Sequence, residues 1–245
     1  MHINEIRKVL DISKRENRSV LTENETKEIL SHLEIPFPEF YLANSVNEAI
    51  EYARKIGYPV VLKVVSPEII HKSEANGVKL NLQNDEEVQD AYQSIIMNAK
   101  EYDLSARIIG VSVQKMMIME GTEVIIGMNR DDVFGPVLLF GLGGIFVELL
   151  KDVSMRVLPL AEQDIETMFT EINASKILTG FRGSKPVKVD CLKEIIQKVA
   201  DFSQKFTEVS EFELNPVLVQ EAGHSIALDA RIILRQPIVE EVMVN

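Results

Sequence analysis

The sequence is poor in cysteine and in aromatic residues. Its 245 residues contain one cysteine, Cys191, no tryptophan and only 6% aromatic residues in all. A single cysteine excludes an internal disulfide and is typical of a chain that works in the reducing cytoplasm, where we expect this one to act. Cys191 falls near the start of a predicted helix, and we interpret it as structural rather than as a catalytic thiol.

Long apolar runs are also scarce. The longest stretch without a charged residue, 133–147, is shorter than the ~20 residues that a membrane helix needs, and it contains Pro136 and several glycines. The first residues, from Met1 to Arg7, show no apolar signal region. We therefore expect neither a membrane-spanning segment nor a secretion signal.

Positive charge is the third feature in short supply. Lysine and arginine total 26 against 38 aspartate and glutamate residues, which gives a net charge of −12. An acidic chain is poorly suited to nucleic acid or to an anionic membrane surface, so we expect neither as a partner. An anionic small molecule would need a locally basic pocket, which makes a lysine in an apolar setting informative.

Helical and strand-like patterns alternate along the chain, which is 46% hydrophobic and long enough for a substantial core. Two helix starts have the spacing of a capping box, Thr22 with Glu25 and Ser45 with Glu48. The alternation predicts an α+β or α/β fold.

We predict two α+β lobes that join near residues 114–121. Residues 36–117 read as β, α, β, loop, β, α, β, which is a compact unit of its own. The expected division is an N-terminal helix or arm over 1–21, a first lobe over 22–117 and a second lobe over 118–245.

An apolar strand with a lysine at its centre leads into a loop rich in hydrogen-bond donors. Lys63 stands in Tyr-Pro-Val-Val-Leu-Lys-Val-Val, and His71, Lys72, Ser73 and Gly77 follow in the loop. A buried ammonium group is costly unless an anion meets it, and the N–H groups of such a loop can cradle a phosphate. The pattern predicts an anion site beside a histidine that could carry a phosphoryl group. Two simpler interpretations stay open: Lys63 extends from an edge strand into water, and His71 is an ordinary solvated residue.

The last two strand patterns are separated by Glu-Ala-Gly-His, whose glycine predicts a hairpin turn. A turn centred on residue 222 would place Asn215 opposite Asp229, with Glu213 on the same face two residues away. Carboxylate and amide oxygens are hard ligands, so this patch predicts a Mg²⁺ site completed by phosphate oxygens and water. The alternative is an ordinary ion pair between Glu213 and Arg231, with Asn-Pro as a strand irregularity.

Three further features are less specific. The run Gly-Leu-Gly-Gly that begins at Gly141 matches neither the dinucleotide fingerprint nor the Walker loop, and a tight turn explains it equally well. Arg182, flanked by glycines, could clamp a phosphate or bind a carboxylate of the protein itself. Met116, Met117 and Met119 could line a slot for adenine or could be plain core.

Taken together, these motifs resemble the ATP-grasp fold. They resemble more closely the ATP-grasp (β) subunits of NDP-forming acyl-CoA synthetases, the ADP-forming acetate–CoA ligase family, and more distantly the succinyl-CoA synthetase β subunit. The resemblance extends over roughly residues 20–235. It is carried, in this order, by Tyr-Pro-Val-Val-Leu-Lys63, Ile-Ile-His71-Lys-Ser, Val-Gln114-Lys-Met-Met117 with Glu123, Phe-Gly-Leu-Gly-Gly144-Ile-Phe-Val-Glu148, Leu-Thr-Gly-Phe-Arg182-Gly, Glu213-Leu-Asn-Pro216 and Leu-Asp229-Ala-Arg.

The resemblance implies a role for each matching position. His71, on a swinging loop over 66–78, would be the histidine that is transiently phosphorylated. Asn215 and Asp229 would bind Mg²⁺, with Glu213 beside them as a second catalytic residue. The residues that would bind ATP or ADP are Lys63, Gln114, Lys115, Met116, Met117, Glu123 and Arg182, of which 114–117 would read adenine through their backbone.

The resemblance also implies a reaction and a partner. Such an enzyme couples acyl-CoA, ADP and phosphate to acid, CoA and ATP, and its α subunit carries the CoA-binding and first phosphohistidine domains. We therefore expect a heterotetramer with an α subunit. Two alternatives remain, a non-catalytic or regulatory ATP-grasp module and the β subunit of a succinyl-CoA-type ligase.

The histidine loop departs from the family pattern at one point. The family usually has His-Lys-Ser-Asp/Glu-x-Gly-Gly-Val, whereas this chain has Ala75-Asn76-Gly77-Val78, with a single glycine. Asparagine tolerates a positive φ better than most residues, so we expect Asn76 to preserve the turn.

Overall fold

The described strands form two antiparallel sheets, and the described helices pack against one sheet or the other. The computed structural model describes residues 1–117, 121–143, 151–180, 186–220 and 223–235. The described helices are α1 (Ile3–Arg15), α2 (Glu23–His32), α3 (Val46–Ile56), α4 (Asp85–Tyr102), α5 (Glu162–Glu171), α6 (Ser175–Thr179) and α7 (Asp190–Lys205). The described strands are β1 (Phe40–Ala43), β2 (Val60–Val65), β3 (Val78–Leu82), β4 (Gly110–Lys115), β5 (Thr122–Asp131), β6 (Gly135–Leu142), β7 (Val153–Val157), β8 (Val209–Val219), β9 (Ser225–Ala227) and β10 (Ala230–Leu234).

The smaller sheet has the strand order β1-β4-β2-β3, and each neighbouring pair is antiparallel. Its central strand β2 is buried along its whole length. Val60, Leu62 and Val64 of β2 form one apolar core with Val88 and Ile95 of α4. Because alternate side chains of a strand point to opposite faces, Lys63 lies on the face away from that core.

The larger sheet has the order β10-β8-β5-β6-β7, and β9 pairs with β8. Its core combines Ile126 of β5 and Phe212 of β8 with Phe202 of α7 and with Phe206, which directly follows that helix. The aromatic rings of Phe202 and Phe212 meet edge to face, with their centroids 5.1 Å apart. The α+β prediction is confirmed by these two lobes.

The two predicted capping boxes mark real helix starts. Thr22 Oγ1 accepts a hydrogen bond from the backbone N of Glu25 at 3.3 Å, and Glu25 Oε2 accepts one from the backbone N of Thr22 at 2.7 Å. Ser45 Oγ accepts from the backbone N of Glu48 at 3.2 Å. These side chains satisfy N–H groups that the first helical turn leaves without partners.

Helix α2 belongs to the larger core and not to the smaller lobe, where our 22–117 boundary placed it. Ile29 and Leu30 are buried among residues of the larger sheet, as are Ile6 and Leu10 of α1. The segment between the two helices also pairs with β10, since the backbone N of Leu21 donates to Ile232 O at 3.1 Å. An apolar stripe predicts a helix but does not specify which of two cores it covers.

The expected junction near 114–121 lies partly outside the described residues, because 118–120 are not among them. A search of the described helices found none with the length and apolar character to cross a membrane.

Candidate nucleotide and phosphate site

A cavity of about 600 Å³ lies between the two lobes and collects side chains from distant parts of the chain. Its walls contain five of the predicted site residues, His71, Glu123, Glu213, Asn215 and Asp229. The remaining lining comes from 20–23, 65–66, 69–70, 72–74, 78, 216 and 230–231. We refer to this cavity as the cleft.

Lys63 is buried, with 7% of the residue exposed, and approaches the cleft wall at Asp229. Its Nζ donates a hydrogen bond to Leu228 O at 3.1 Å and lies 3.6 Å from Asp229 Oδ2. Strand β2 lies between β3 and β4, so the interpretation of Lys63 as an edge-strand residue reaching into water is wrong. The ammonium group is held by oxygens of the segment between β9 and β10.

His71 projects from the loop that connects β2 to β3. Its side chain is 60% exposed, and Nδ1 lies 3.9 Å from Glu74 Oε1. The loop closes through a hydrogen bond from the backbone N of Gly77 to Lys72 O at 2.8 Å. Asn76 has φ +49°, so the expectation that asparagine would keep the turn is confirmed. An exposed imidazole on a closed loop is accessible to a reactant from either side of the cleft.

The side chain of Lys72, next to the histidine, extends towards Asp229 of the hairpin. Its Nζ lies 3.6 Å from the same Asp229 Oδ2 that Lys63 approaches. Burial alone lowers the pKa of Lys72, but Asp229 and Glu23 outweigh it and raise that pKa above its usual value. Lys72 therefore stays charged and connects the histidine loop to the larger lobe.

The hairpin register predicted from the sequence is confirmed. The backbone N of Asn215 donates to Asp229 O at 3.1 Å, and Glu213 lies opposite Arg231. The Asn215–Pro216 step falls where the pairing of β8 with β5 shifts by one residue, so it is also a strand irregularity.

The same patch contains the ion pair that we considered as the alternative. Arg231 Nη2 lies 3.3 Å from Glu213 Oε2 and also contacts Glu211. Asn215 Nδ2 donates to Glu213 Oε1 at 3.2 Å. Glu213 is therefore held between an arginine and an amide while it faces the cleft.

The donor set of this patch fits Mg²⁺. The described residues contain no group of three His, Cys, Asp or Glu side chains close enough to hold a metal on their own. Asn215 and Asp229 instead offer an amide oxygen and a carboxylate on one wall, with Glu213 beside them. Mg²⁺ commonly takes one or two protein oxygens and completes its shell with phosphate and water. Asp229 and Asn215 would hold the cation, which would neutralise phosphate charge.

The predicted nucleotide residues of β4 lie deeper than the cleft wall. Gln114 is buried: its Oε1 accepts from Lys27 Nζ at 2.8 Å, and its Nε2 donates to Leu228 O at 3.3 Å. Lys115 Nζ donates to Gly57 O at 2.6 Å. Each of these side chains bridges segments of the protein, and Gln114 links the smaller sheet to the hairpin.

Met116 and Met117 do not line the cleft. The backbone N of Met116 donates to Pro59 O at 3.1 Å. Met117 lines a second cavity, of about 450 Å³, together with Cys191 and Ile195. The structure therefore does not bring Met117 to the same cavity as His71. Other predicted positions, namely Met119, Gly144, Glu148 and Arg182, lie outside the described residues.

Sequence reasoning missed two residues, Glu23 and Lys27. Their side chains are 2% and 3% exposed, and Lys27 Nζ donates to Glu23 Oε1 at 2.7 Å. Lys27 also lies 3.8 Å above the ring of Phe40, and Ser112 Oγ donates to Glu23 Oε2 at 3.2 Å. Burial alone raises the pKa of Glu23, but Lys27, Lys63 and Lys72 lower it to about 2. A Glu and a Lys four residues apart on a helix look the same in sequence whether buried or exposed.

Comparison with known proteins agrees with this geometry. Residues 13–234 match the ATP-grasp domain family. The chain is 49% identical over 228 residues to the acetate–CoA ligase [ADP-forming] I subunit beta of Pyrococcus furiosus, covering 93% of this chain and 97% of that one. The chain belongs to the ATP-grasp β-subunit family of the ADP-forming acetate–CoA ligases.

Two solved structures show the same family fold. The first is acetyl-coenzyme A synthetase 1 of Ca. Korarchaeum cryptofilum in complex with coenzyme A and Ca-AMPCP. It is 46% identical with a TM-score of 0.88, covering 94% of this chain and 99% of that one. The second is the same synthetase with coenzyme A and Mg-AMPPCP, its phosphohistidine segment pointing towards the nucleotide binding site. It is 43% identical with a TM-score of 0.80, covering 94% of this chain and 100% of that one.

Membership of the acetate–CoA ligase β-subunit family confirms three expectations. These are the family resemblance, the ATP-grasp fold and the class of enzyme, an ADP-forming acid–thiol ligase. Apart from the corrected placement of α2, the lobe boundaries stay predictions, as do the roles of the individual site residues.

Proposed function

We propose that this chain is the nucleotide-binding subunit of an ADP-forming acetyl-CoA synthetase, in which His71 relays a phosphoryl group. The overall reaction would convert acyl-CoA, ADP and phosphate to acid, CoA and ATP. The observation that carries the proposal is the cleft itself. It collects an exposed imidazole, the partly exposed ammonium group of Lys72 and the carboxylate–amide patch of the hairpin, which the buried ammonium group of Lys63 approaches at Asp229.

The relay is chemically balanced in two steps. A ring nitrogen of His71 attacks the phosphorus of a phosphohistidine on the partner subunit, so that one N–P bond forms as another breaks. A β-phosphate oxygen of ADP then attacks the phosphorus on His71, the N–P bond breaks, and ATP forms. Histidine suits this exchange because its ordinary pKa lies near neutrality, which leaves one nitrogen free to act as nucleophile.

The surrounding residues would orient the phosphates and neutralise their charge. Phosphoryl transfer depends more on in-line placement and electrostatic stabilisation than on covalent work by the protein. Lys63 would contact the nucleotide phosphates, and Asn215 and Asp229 would hold Mg²⁺ with Glu213 beside them. The nucleotide would extend from these groups towards Gln114, Lys115, Met116 and Met117, with Glu123 and Arg182 also contributing.

The proposal requires a second subunit. Among the described residues both sheets are antiparallel, so they contain no parallel Rossmann sheet for CoA. The Pyrococcus relative is named as a subunit beta. We propose that an α subunit supplies the CoA-binding and phosphohistidine domains, that the two chains form a heterotetramer, and that the complex works in the cytoplasm.

The test replaces His71 by alanine in the complete complex. His71→Ala should retain ADP binding in calorimetry, because the imidazole does not hold the nucleotide, and should lose acyl-CoA-dependent ATP formation. Incubation of the wild type with ATP labelled at the γ-phosphate should give acid-labile, base-stable label on this chain, and the variant should give none. His2→Ala is the matched control, since His2 is also exposed but lines neither the cleft nor the second cavity.

Full ATP formation by His71→Ala would contradict the relay. Nucleotide binding without any phosphoryl exchange in the wild type would instead favour a regulatory module.

A further inference from the structure

Charged groups meet where the two lobes join, and Glu23 lies among them. It stands in the first turn of α2, whose apolar residues belong to the larger core. Its carboxylate nevertheless reaches the smaller sheet, where Ser112 of β4 donates to it at 3.2 Å. Glu23 also forms part of the cleft wall, together with His71 and Lys72.

Three ammonium groups and two carboxylates share this region. One ammonium group forms a short ion pair, and the other two lie farther from their carboxylate partner. Lys27 hydrogen-bonds to Glu23 at 2.7 Å. Lys63 and Lys72 each lie 3.6 Å from Asp229 Oδ2, which is longer than an ordinary hydrogen bond. Glu23 also attracts Lys63 and Lys72 electrostatically. Lys63 and Lys72 therefore approach Asp229 without an ordinary hydrogen bond to it, while Glu23 supplies a second negative charge that attracts both.

We propose that Glu23 is a positioning residue for the cleft: it keeps Lys63 and Lys72 from collapsing onto Asp229, so that the lysines can face phosphate and Asp229 can face a cation. This role rests on the proposed function, because it assumes that phosphate and Mg²⁺ bind here. Glu23 itself touches neither the nucleotide nor the reacting histidine in this scheme. It acts through the three lysines.

The physical reason is charge balance among groups that are largely shielded from water, since the side chains of Glu23, Lys27 and Lys63 are 2%, 3% and 8% exposed. Of the five groups, Asp229 would be the one remaining anion if Glu23 were neutral. Lys63 and Lys72 would then move towards it, since opposite charges attract more strongly at low dielectric. An Asp229 carboxylate that hydrogen-bonds to ammonium groups is a poorer ligand for a divalent cation. Neutralising Glu23 should therefore weaken the effect of Mg²⁺ on ADP binding, and it should not weaken the binding of the phosphates in the absence of Mg²⁺.

The experiment measures ADP binding to the complete complex by calorimetry, first in EDTA and then over a series of Mg²⁺ concentrations. Glu23→Gln is nearly isosteric: its amide oxygen can still accept from Lys27, and its NH2 group can donate to the Ser112 hydroxyl, which now accepts instead of donating. We expect the Mg²⁺ concentration that half-saturates the tightening of ADP binding to rise on the order of tenfold. ADP affinity in EDTA should not fall, because the local positive charge has increased.

Two further variants separate positioning from simple loss of structure. Glu23→Asp keeps the charge and should restore most of the Mg²⁺ response. Glu25→Gln removes another carboxylate from the same helical turn, one that pairs with Arg18, and should leave the Mg²⁺ response unchanged even if the protein melts earlier. A merely structural role for Glu23 would lower ADP affinity in EDTA and in Mg²⁺ together.

The possible outcomes distinguish this role from the proposed function. An unchanged Mg²⁺ response in Glu23→Gln, or an equal loss with and without Mg²⁺, would overturn the positioning role and leave the function intact. A wild type whose ADP binding does not depend on Mg²⁺ would overturn both.

Discussion

At the scale of single residues, two buried lysines next to residues of the cleft wall are held in place by oxygens of the protein itself. Lys63 is buried in the middle of a strand, yet its Nζ has Leu228 O at 3.1 Å and Asp229 Oδ2 at 3.6 Å. Lys27 is buried as deeply and pairs with Glu23. Charges in such positions are tolerated only when they are paired, so each pair makes the neighbouring residue indispensable.

Lys27→Met should destabilise the protein by about 3 kcal/mol or more, because it leaves the Glu23 carboxylate buried with its nearest cation gone. Urea unfolding measures this change in the free energy of unfolding. Lys8→Met is the control: Lys8 pairs with Glu5, but their side chains are 70% and 47% exposed, so the loss of stability should be much smaller than for Lys27→Met. Equal losses in the two variants would contradict the importance of the buried pair.

The sequence predicts the burial of Lys63 but not that of Lys27. Lys63 is flanked by apolar residues on both sides, which leaves it no exposed position in a central strand. Glu23 and Lys27 follow a capping box among polar neighbours, where a surface helix would look the same. Their burial depends on β1 and β4 of the other lobe, and no local pattern encodes that contact.

At the scale of elements, the histidine loop is shaped by close contact between its backbone and β2. The backbone N of Val64 donates to Gly77 O at 2.8 Å, and Ala75 is buried in the smaller core. A Cβ at Gly77 would lie 2.5 Å from Val64 Cγ1 and 3.2 Å from Lys72 O. The first of the two glycines in the family pattern is replaced by Asn76 without loss of the turn, whereas Gly77, at the second, is required by this close approach.

Gly77→Ala should therefore cost about 1–3 kcal/mol of stability, as added atoms do in a well-packed core, and should slow phosphorylation of His71. Thermal unfolding and label incorporation from ATP measure the two effects. Gly127→Ala is the matched control, because a Cβ on that strand glycine would meet its nearest neighbour at 3.7 Å, which is ordinary contact. If the two variants behave alike, the loop does not depend on close packing at Gly77.

The hairpin and α2 show what element patterns can and cannot predict. The register of Asn215 with Asp229 follows from one turn glycine and the two-residue period of a strand, and it is confirmed. The placement of α2 was wrong, because a stripe such as Ile29, Leu30 and Leu33 fits any apolar surface. The periodicity of apolar residues predicts that α2 is a helix. Which core the helix covers depends on the pairing of the segment before it with β10, and no local pattern encodes that pairing.

At the scale of the whole molecule, two apolar cores are joined by a polar contact. Each lobe has its own core, and charged and amide side chains such as Lys27 and Gln114 link them. A ligand that touched both lobes would therefore strengthen the weakest part of the molecule. ADP is such a ligand under the proposed function, because its phosphates would face both Lys63 and the hairpin.

Saturation with ADP and Mg²⁺ should raise the stability of the protein by about 2.7 kcal/mol when the ligand is present at a hundred times its dissociation constant. A thermal shift assay measures this, and His71→Ala should show the same shift as the wild type. Removal of Mg²⁺ by EDTA should reduce the shift, and the absence of any shift with ADP and Mg²⁺ would argue against nucleotide binding in the cleft.

The pairing of residues 19–21 with β10 has a consequence for how the molecule is made. The backbone N of Leu21 donates to Ile232 O, and that of Leu234 donates to Ser19 O. A nascent chain can complete the smaller lobe once β4 has left the ribosome, but the segment between α1 and α2 must wait for β10, more than 200 residues later, before it finds its partner. The cleft is therefore finished only after β10 has emerged, so a chain that stops before β10 would contain the smaller lobe without a working site.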